Sequence, residues 1–344
     1  MGIYKLTPAC KDYLWGGHKL VEKYNIHYEG EICAEAWTLS CHKDGPSVIT
    51  DSDGTEYLLP DFIKMKGKDI LGTNCTKYGE FPILIKLIDA KKPLSIQVHP
   101  DDEYALIHEK QYGKTEMWYV LEADEGAFLY EGFKKEISKD EFEKRIKNNT
   151  LTEVLNKVEV KKGDVIFISP GTLHAIGAGI VVAEIQQNSN VTYRIYDYGR
   201  VGADGKTRPL HIQQSLDVTR LEPPKPYISD GTHMVISRFF CVDHVEVKGS
   251  TTDTCNDDTV VGTGGTAYTA NGYATGVYTD NAGSDSFVNL LITGGEGIVS
   301  LEEKSINSEV EGISVRKGDS VLITAGTGKY HVKGNLEFIK TIVP

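Results

Sequence analysis

In PLSIQVHP, residues 93–100, an extended chain turns Ser95, Gln97 and His99 to one side, each two residues from the next. In TEMWYVL, residues 115–121, the same period sets Glu116, Trp118 and Val120 together. His174 follows Pro170-Gly171 at a tight turn beside a strand. If these strands enclose one interior, two histidines, a glutamate and a glutamine converge there. Such nitrogen and oxygen donors suit zinc or another divalent ion. Taken singly, each residue also has an ordinary use as a hydrogen-bonded side chain at a strand end.

The elements that would position these groups are short and mostly extended. Thirty-five glycines and 12 prolines punctuate the chain. The runs ICAEAWTLS, FPILIKLIDA, PLSIQVHP, EMWYVLEA, DVIFISP, IVVAEIQQ and VTYRIYDY are rich in β-branched and aromatic residues, as strands of a sandwich or barrel are. Helices are expected in DDEYALIHEK, after Ser138 where Ser138-x-x-Glu141 forms a capping box, and in a short piece from Leu151 to Lys157.

An internal repeat sets the architecture. KKGDVIFISPGT, residues 161–172, returns as RKGDSVLITAGT, residues 316–327, at a constant offset of 155. Further upstream, Glu125-Gly126 matches Glu296-Gly297 at an offset of 171, the difference being absorbed by a helical insert after Gly132. We expect a mainly β chain of two cupin-type jelly-roll barrels. Residues 1–225 would form the metal-binding unit, with its insert at about 133–157, and residues 226–344 a degenerate copy. In that copy His174 is replaced by Lys329 and Glu116 by Phe287, so the ligand pattern is gone. Residues 250–286 are rich in Gly, Thr and Asp, with Asn271-Gly272 as a hairpin turn, and no function is read from them.

The spacing G-(x)7-G-x-x-H from Gly163 to His174 matches the second cupin motif, with the proline one place late at Pro170. The first motif, H-x-H-(x)3-4-E, is half present: Gln97 stands for its first His, and Glu103 lies four residues after His99 in an expected helix. The strings SIQVHPDDEYA, GKTEMWYVLEA, ISPGTLHAIG and EIQQNSNVTYRIYDYGR resemble the type I phosphomannose isomerases of the short bacterial form, from about Leu14 to Asp217. That resemblance implies one zinc ion per chain, held by Gln97, His99, Glu116 and His174. It also implies a catalytic arginine at Arg194, an acidic pocket residue at Glu184, and polar pocket-lining groups at Ser95 and Lys114. The implied reaction interconverts mannose 6-phosphate and fructose 6-phosphate through an enediol.

Such a reaction needs an electrophile beside the enediol, a base, and fixed cations for the phosphate. Glu184 is the first choice of base and Lys114 the second. Lys114 supplies a point charge for the phosphate, and Arg194 or Arg200 a planar fork of donors. The rival readings are a sugar-phosphate-binding cupin without catalysis, and a metal-dependent oxygenase or decarboxylase using His99, Glu103 and His174. Composition narrows the field further. Lys plus Arg total 37 against 49 Asp plus Glu, and the net charge of −12 argues against nucleic-acid or anionic-membrane partners. The opening MGIYKLTPAC lacks the apolar core of a secretory signal, and the six cysteines show no CxxC pair, so a reducing cytoplasm is expected. The uncharged run 165–183 is broken by Pro170-Gly171, Gly177 and Gly179, and reads as strands and turns rather than a membrane span.

Overall fold

Residues 2–51, 53–202, 205–248, 276–302 and 312–344 are described by the structure, a computed structural model. Strands form where apolar and β-branched residues are densest: Ile83–Ala90, Glu116–Ala123 and Ile180–Gln187. These pair antiparallel, with Glu184 opposite Lys86 on one side and Trp118 on the other. Val165–Ile168, Glu35–Leu39 and Ala9–Lys11 complete a six-stranded sheet. A five-stranded sheet packs across it, in the order Leu155–Glu159, Phe128–Phe133, His174–Ile176, Ile96–Val98 and Tyr193–Tyr196. Among the described residues no pairing joins these two sheets at their edges, so the first jelly roll is an open two-sheet sandwich.

The six-stranded sheet is buried on both faces, and alternation along its strands sorts the side chains. Ile88, Trp118, Val120, Ile166 and Val182 turn inward against Leu129 and Ile176 of the facing sheet. Leu87, Met117, Tyr119, Ala183 and Ile185 turn outward, and pack with Phe240, Phe287, Leu291, Leu322 and Ile339 of the C-terminal part. A fully buried aliphatic or aromatic side chain contributes roughly 1.5–3 kcal/mol, so this shared cluster couples the two halves.

The C-terminal part is built on two long strands, Val288–Leu301 and Gly328–Ile342, which run together antiparallel. The chain's own beginning joins this sheet: Ile3–Thr7 pairs with Ser320–Ile323 and continues through Val48–Thr50 to Glu56–Leu58. Three strands from the first 60 residues thus belong to the sheet of the C-terminal part.

The repeat is visible at the level of single hydrogen bonds. Asp164 accepts from the Lys161 N–H at 2.8 Å, and Asp319 accepts from the Arg316 N–H at 2.9 Å. Ser169 and Thr172 share a hydroxyl contact of 3.1 Å, as Thr324 and Thr327 do at 2.9 Å. One equivalence changes. Ile168 pairs with Glu116, and its counterpart Ile323 pairs with Val288, so the residue in Glu116's place is Val288 rather than Phe287. Val288 lies in an apolar cluster, and Lys329 is a surface residue paired with Glu302 at 2.8 Å.

Two expected helices form, Asp102–His108 and Lys139–Lys147, the latter capped by the Ser138 hydroxyl accepting from the Glu141 N–H. The third is only a 3-10 turn at Leu151–Glu153, because Leu155–Glu159 is taken into the five-stranded sheet. Helices Lys19–Tyr24, Leu59–Lys66 and Ile212–Val218 were not expected from sequence. Of the Gly/Thr/Asp-rich stretch, Val277–Ala282 is a strand pairing with 328–333, while Asn271-Gly272 lies outside the described residues. No helix among the described residues is long and apolar enough to cross a membrane.

Gly163 and Gly318 hold the same turn in the two copies, at φ +93° and +95°. A side chain at Gly163 would meet nothing within 4 Å, whereas one at Gly318 would lie 1.6 Å from the Tyr24 carbonyl oxygen. Gly163→Ala is expected to cost about 1–3 kcal/mol of unfolding free energy from backbone strain alone. Gly318→Ala should cost clearly more, because it also drives the second unit away from the helix Lys19–Tyr24. Urea unfolding of the two variants checks the order, and equal costs would contradict the close packing at Gly318.

Candidate metal centre and adjoining cavity

Three strands place the donors. Ile96–Val98 lies between His174–Ile176 and Tyr193–Tyr196, so Gln97 is flanked by His174 on one side and Arg194 on the other. His99 follows this strand, and Glu116 begins its own strand in the facing sheet. His99 and His174 are held in the same tautomer: each Nδ1–H donates to a backbone oxygen at 2.8 Å, from Val191 and Thr172 respectively. Each therefore turns a bare Nε2 toward the interior, the orientation metal-binding histidines use. The His174 Nε2 is 3.3 Å from Glu116 Oε1, and the His99 Nε2 is 3.6 Å from Oε2. The Gln97 amide is 3.4 Å from the His174 Nε2.

His99, Glu116 and His174 are fully buried, and their ligand atoms lie within 4.8 Å of one another, a group able to hold a metal ion. Both Glu116 oxygens lack a well-directed hydrogen bond. The Lys114 ammonium stands 2.6 Å from Glu116 Oε2, 3.3 Å from the His99 Nε2 and 3.6 Å from Glu184 Oε1. A cation already satisfies these acceptors, and two neutral imidazoles with one carboxylate form a donor set that fits a divalent ion. Burial pushes the Glu116 carboxyl up, against the pull of Lys114, to about 7. Burial, reinforced by Lys114, holds His99 well below the usual imidazole range, and burial brings His174 down to about 4.

Beside the donors lies a cavity of about 240 Å³, roughly eight water volumes, lined by Ser95, Gln97, Lys114, Glu184 and Arg194. Glu184 accepts from the Trp118 indole at 2.9 Å and sits 3.2 Å from the Lys86 ammonium, which also faces Glu35 at 3.6 Å. Burial would raise the Glu184 carboxyl, but Lys114 and Lys86 outweigh it and hold it near 2. Burial would likewise lower Lys86, yet Glu35 and Glu184 raise it above its usual value. Arg194 donates to the Ser95 hydroxyl at 3.3 Å and to the Pro209 carbonyl at 3.2 Å.

Arg200 stands apart from the other expected residues. It is bound to Asp197 at 2.9 Å and lines a neighbouring depression of about 190 Å³, not the main cavity. Arg208 lines the main cavity instead, fixed by a two-pronged contact with Asp197 at 2.7 and 2.6 Å. Glu103, the carboxylate of the rival metal set, is exposed on the helix Asp102–His108 and is no member of the donor group. Sequence reasoning passed over Arg208, Glu35 and Lys86. Lys86 did carry a signal, as a lone charge inside the apolar run FPILIKLIDA.

A two-sheet jelly roll whose inner faces carry a His-Glu-His group able to hold a metal ion defines a cupin. The comparisons with known proteins narrow this. Residues 3–133 match the family model for the type I phosphomannose isomerase catalytic domain. The chain is 39% identical over 246 residues to the mannose-6-phosphate isomerase of Streptococcus mutans, covering 69% of this chain and 76% of that protein. It is 31% identical to the Bacillus subtilis protein YvyI over 335 residues, 97% of this chain and 96% of the other. The crystal structure of a Bacillus subtilis mannose 6-phosphate isomerase superposes with a TM-score of 0.82 at 27% identity, over 99% of both chains. The chain belongs to the type I phosphomannose isomerase family.

Removing one imidazole should abolish binding at this centre: His99→Ala and His174→Ala each lose the metal while circular dichroism shows the sheets intact. Full metal occupancy in either variant would overturn the assignment. Binding also requires Glu116 to be ionised. Apparent affinity should therefore fall about tenfold for each pH unit below about 7 and level off above it, as a competing chelator would report.

Proposed function

We propose that the protein is a zinc-dependent isomerase interconverting mannose 6-phosphate and fructose 6-phosphate through an enediol, acting in the cytoplasm. One observation carries the reading. A chain of net charge −12 gathers Lys86, Lys114, Arg194 and Arg208 around a single cavity that opens beside a buried His-Glu-His group. Set against the two lining carboxylates, Glu35 and Glu184, these four cations leave a local excess of positive charge that fits a small anion bearing oxygens for a metal.

Gln97, His99, Glu116 and His174 would hold the zinc. With one carboxylate among neutral ligands, zinc keeps a net charge near +1 and supplies Lewis acidity toward substrate oxygen. Arg194 presents its fork from the strand next to Gln97, while Ser95 and the Pro209 carbonyl fix its plane. Arg194 and Arg208 receive the phosphate, remote from the reacting carbons, so its binding energy orients the sugar. Arg200 acts from the far side of Asp197, sharing the carboxylate that fixes Arg208.

Glu184 is the proton-transfer base, and Lys114, 3.6 Å away, exchanges the proton between the sugar oxygens. At a pKa near 2 the Glu184 carboxylate is fully ionised yet a weak base. A phosphate dianion entering the same cavity offsets Lys86 and Lys114, and so raises its basicity.

The deciding experiment is a coupled assay for fructose 6-phosphate formed from mannose 6-phosphate. Turnover that disappears on metal removal and returns with zinc is expected. A protein that holds the sugar phosphate and metal yet shows no turnover would be a sugar-phosphate-binding cupin instead. Glu184→Gln should lower kcat at least ~100-fold with bound zinc unchanged. Near-normal turnover would take Glu184 out of this role. Arg194→Lys keeps the charge but loses the fork, and should lower kcat/KM about tenfold or more.

A further inference from the structure

A second group of metal-ligating side chains lies outside the catalytic cavity. Cys241 and Asp243 stand two residues apart on the strand Cys241–Val247 and so share a face. His233 approaches from the loop that precedes the edge strand Val235–Ile236, and its Nδ1 is 2.8 Å from Asp243 Oδ1. One ligand atom from each of the three lies within 4.8 Å of the others.

The thiol makes this group more than an ion pair. Cys241 is 3% exposed and lies outside the four apolar clusters, as Trp37 and Leu84 also do. No hydrogen bond to it appears among the described residues. A buried cysteine ordinarily serves as a small apolar side chain. This one instead faces an imidazole and a carboxylate.

We propose that His233, Cys241 and Asp243 form a second metal site, selective for zinc or another thiophilic divalent ion. With metal–ligand bonds of about 2.0–2.3 Å, tetrahedral donors stand about 3.3–3.8 Å apart. The His233–Asp243 contact of 2.8 Å therefore opens by about 0.5 Å, and the thiol, within 4.8 Å of both partners, moves in by about 1 Å at most through side-chain rotation. Releasing Asp243 leaves no buried charge behind, because Lys340, 3.5 Å from Asp243, is also paired with Asp280 at 3.0 Å. Sulfur excludes magnesium and calcium, which take oxygen donors. Hydrogen bonds already shape the loop that carries the imidazole. The Asp230 carboxylate accepts from the N–H groups of Thr232 and His233, and the Ser229 hydroxyl donates to the His233 carbonyl. A metal here clasps the segment entering the second unit to the edge of its sheet, since Val235–Ile236 is the last strand of that sheet.

The test uses the full chain loaded with cobalt(II). The catalytic donors contain no sulfur, so a sulfur-to-cobalt charge-transfer band in the near ultraviolet reports the second site alone. Two cobalt ions per chain and such a band are expected. Cys241→Ser and His233→Ala should each remove the band and one equivalent of metal, while the turnover of mannose 6-phosphate is unchanged. His233 is partly exposed, so its variant keeps the test sound if the serine variant folds poorly. One cobalt per chain without the band, or a band that survives both substitutions, would overturn the proposal. Neither result depends on whether the first site catalyses isomerisation.

Discussion

Two carboxylates, Glu116 and Glu184, are buried on the inner face of one sheet, and that constraint governs the first jelly roll. An ionised carboxylate in an apolar interior is tolerated only when paired. Lys114 stands between them, Lys86 adds a second ammonium to Glu184, and Glu35 balances Lys86 in turn. The three carboxylates outnumber the two ammonium groups, so removing either lysine leaves more buried negative charge uncompensated. The network is consequently rigid, and it fixes the edge of the cavity where a phosphorylated ligand would meet the metal.

The second unit carries the same fold without that burden. Its turn at Arg316–Asp319 repeats the one at Lys161–Asp164, bond for bond. Its interior at the equivalent strand position holds Val288 in an apolar cluster. Freed from ligands, this unit lends its outer face to the first. Phe287, Leu291, Leu322 and Ile339 pack behind the strands that carry Glu116 and Glu184. The outward residues of those strands, Met117 and Ile185, are thus held as firmly as the inward ones, which backs the strands that carry the candidate donor Glu116.

Much of this was legible in the chain. Density of β-branched and aromatic residues located Glu116–Ala123 and Ile180–Gln187 to the residue, because strands buried on both faces leave near-continuous apolar runs. Alternation also placed Gln97 on the side that meets His174. What stayed hidden depends on long-range pairing. The first strand, Ile3–Thr7, joins a partner more than three hundred residues away, and nothing local marks it. Arg200 and Arg208 look alike in sequence, and only their different contacts with Asp197 decide which faces the cavity. The helix Leu59–Lys66 begins on a leucine-proline pair without a side-chain cap, so no capping signal announced it.

Anomalous diffraction at the zinc edge, from crystals grown with zinc, tests the central claim most directly. The account predicts a peak bounded by Gln97, His99, Glu116 and His174, at about 2.0–2.2 Å from their nitrogen and oxygen atoms. It also predicts the Lys114 ammonium displaced from Glu116 toward the cavity. A fully active enzyme whose crystals show no peak among those four residues would contradict it.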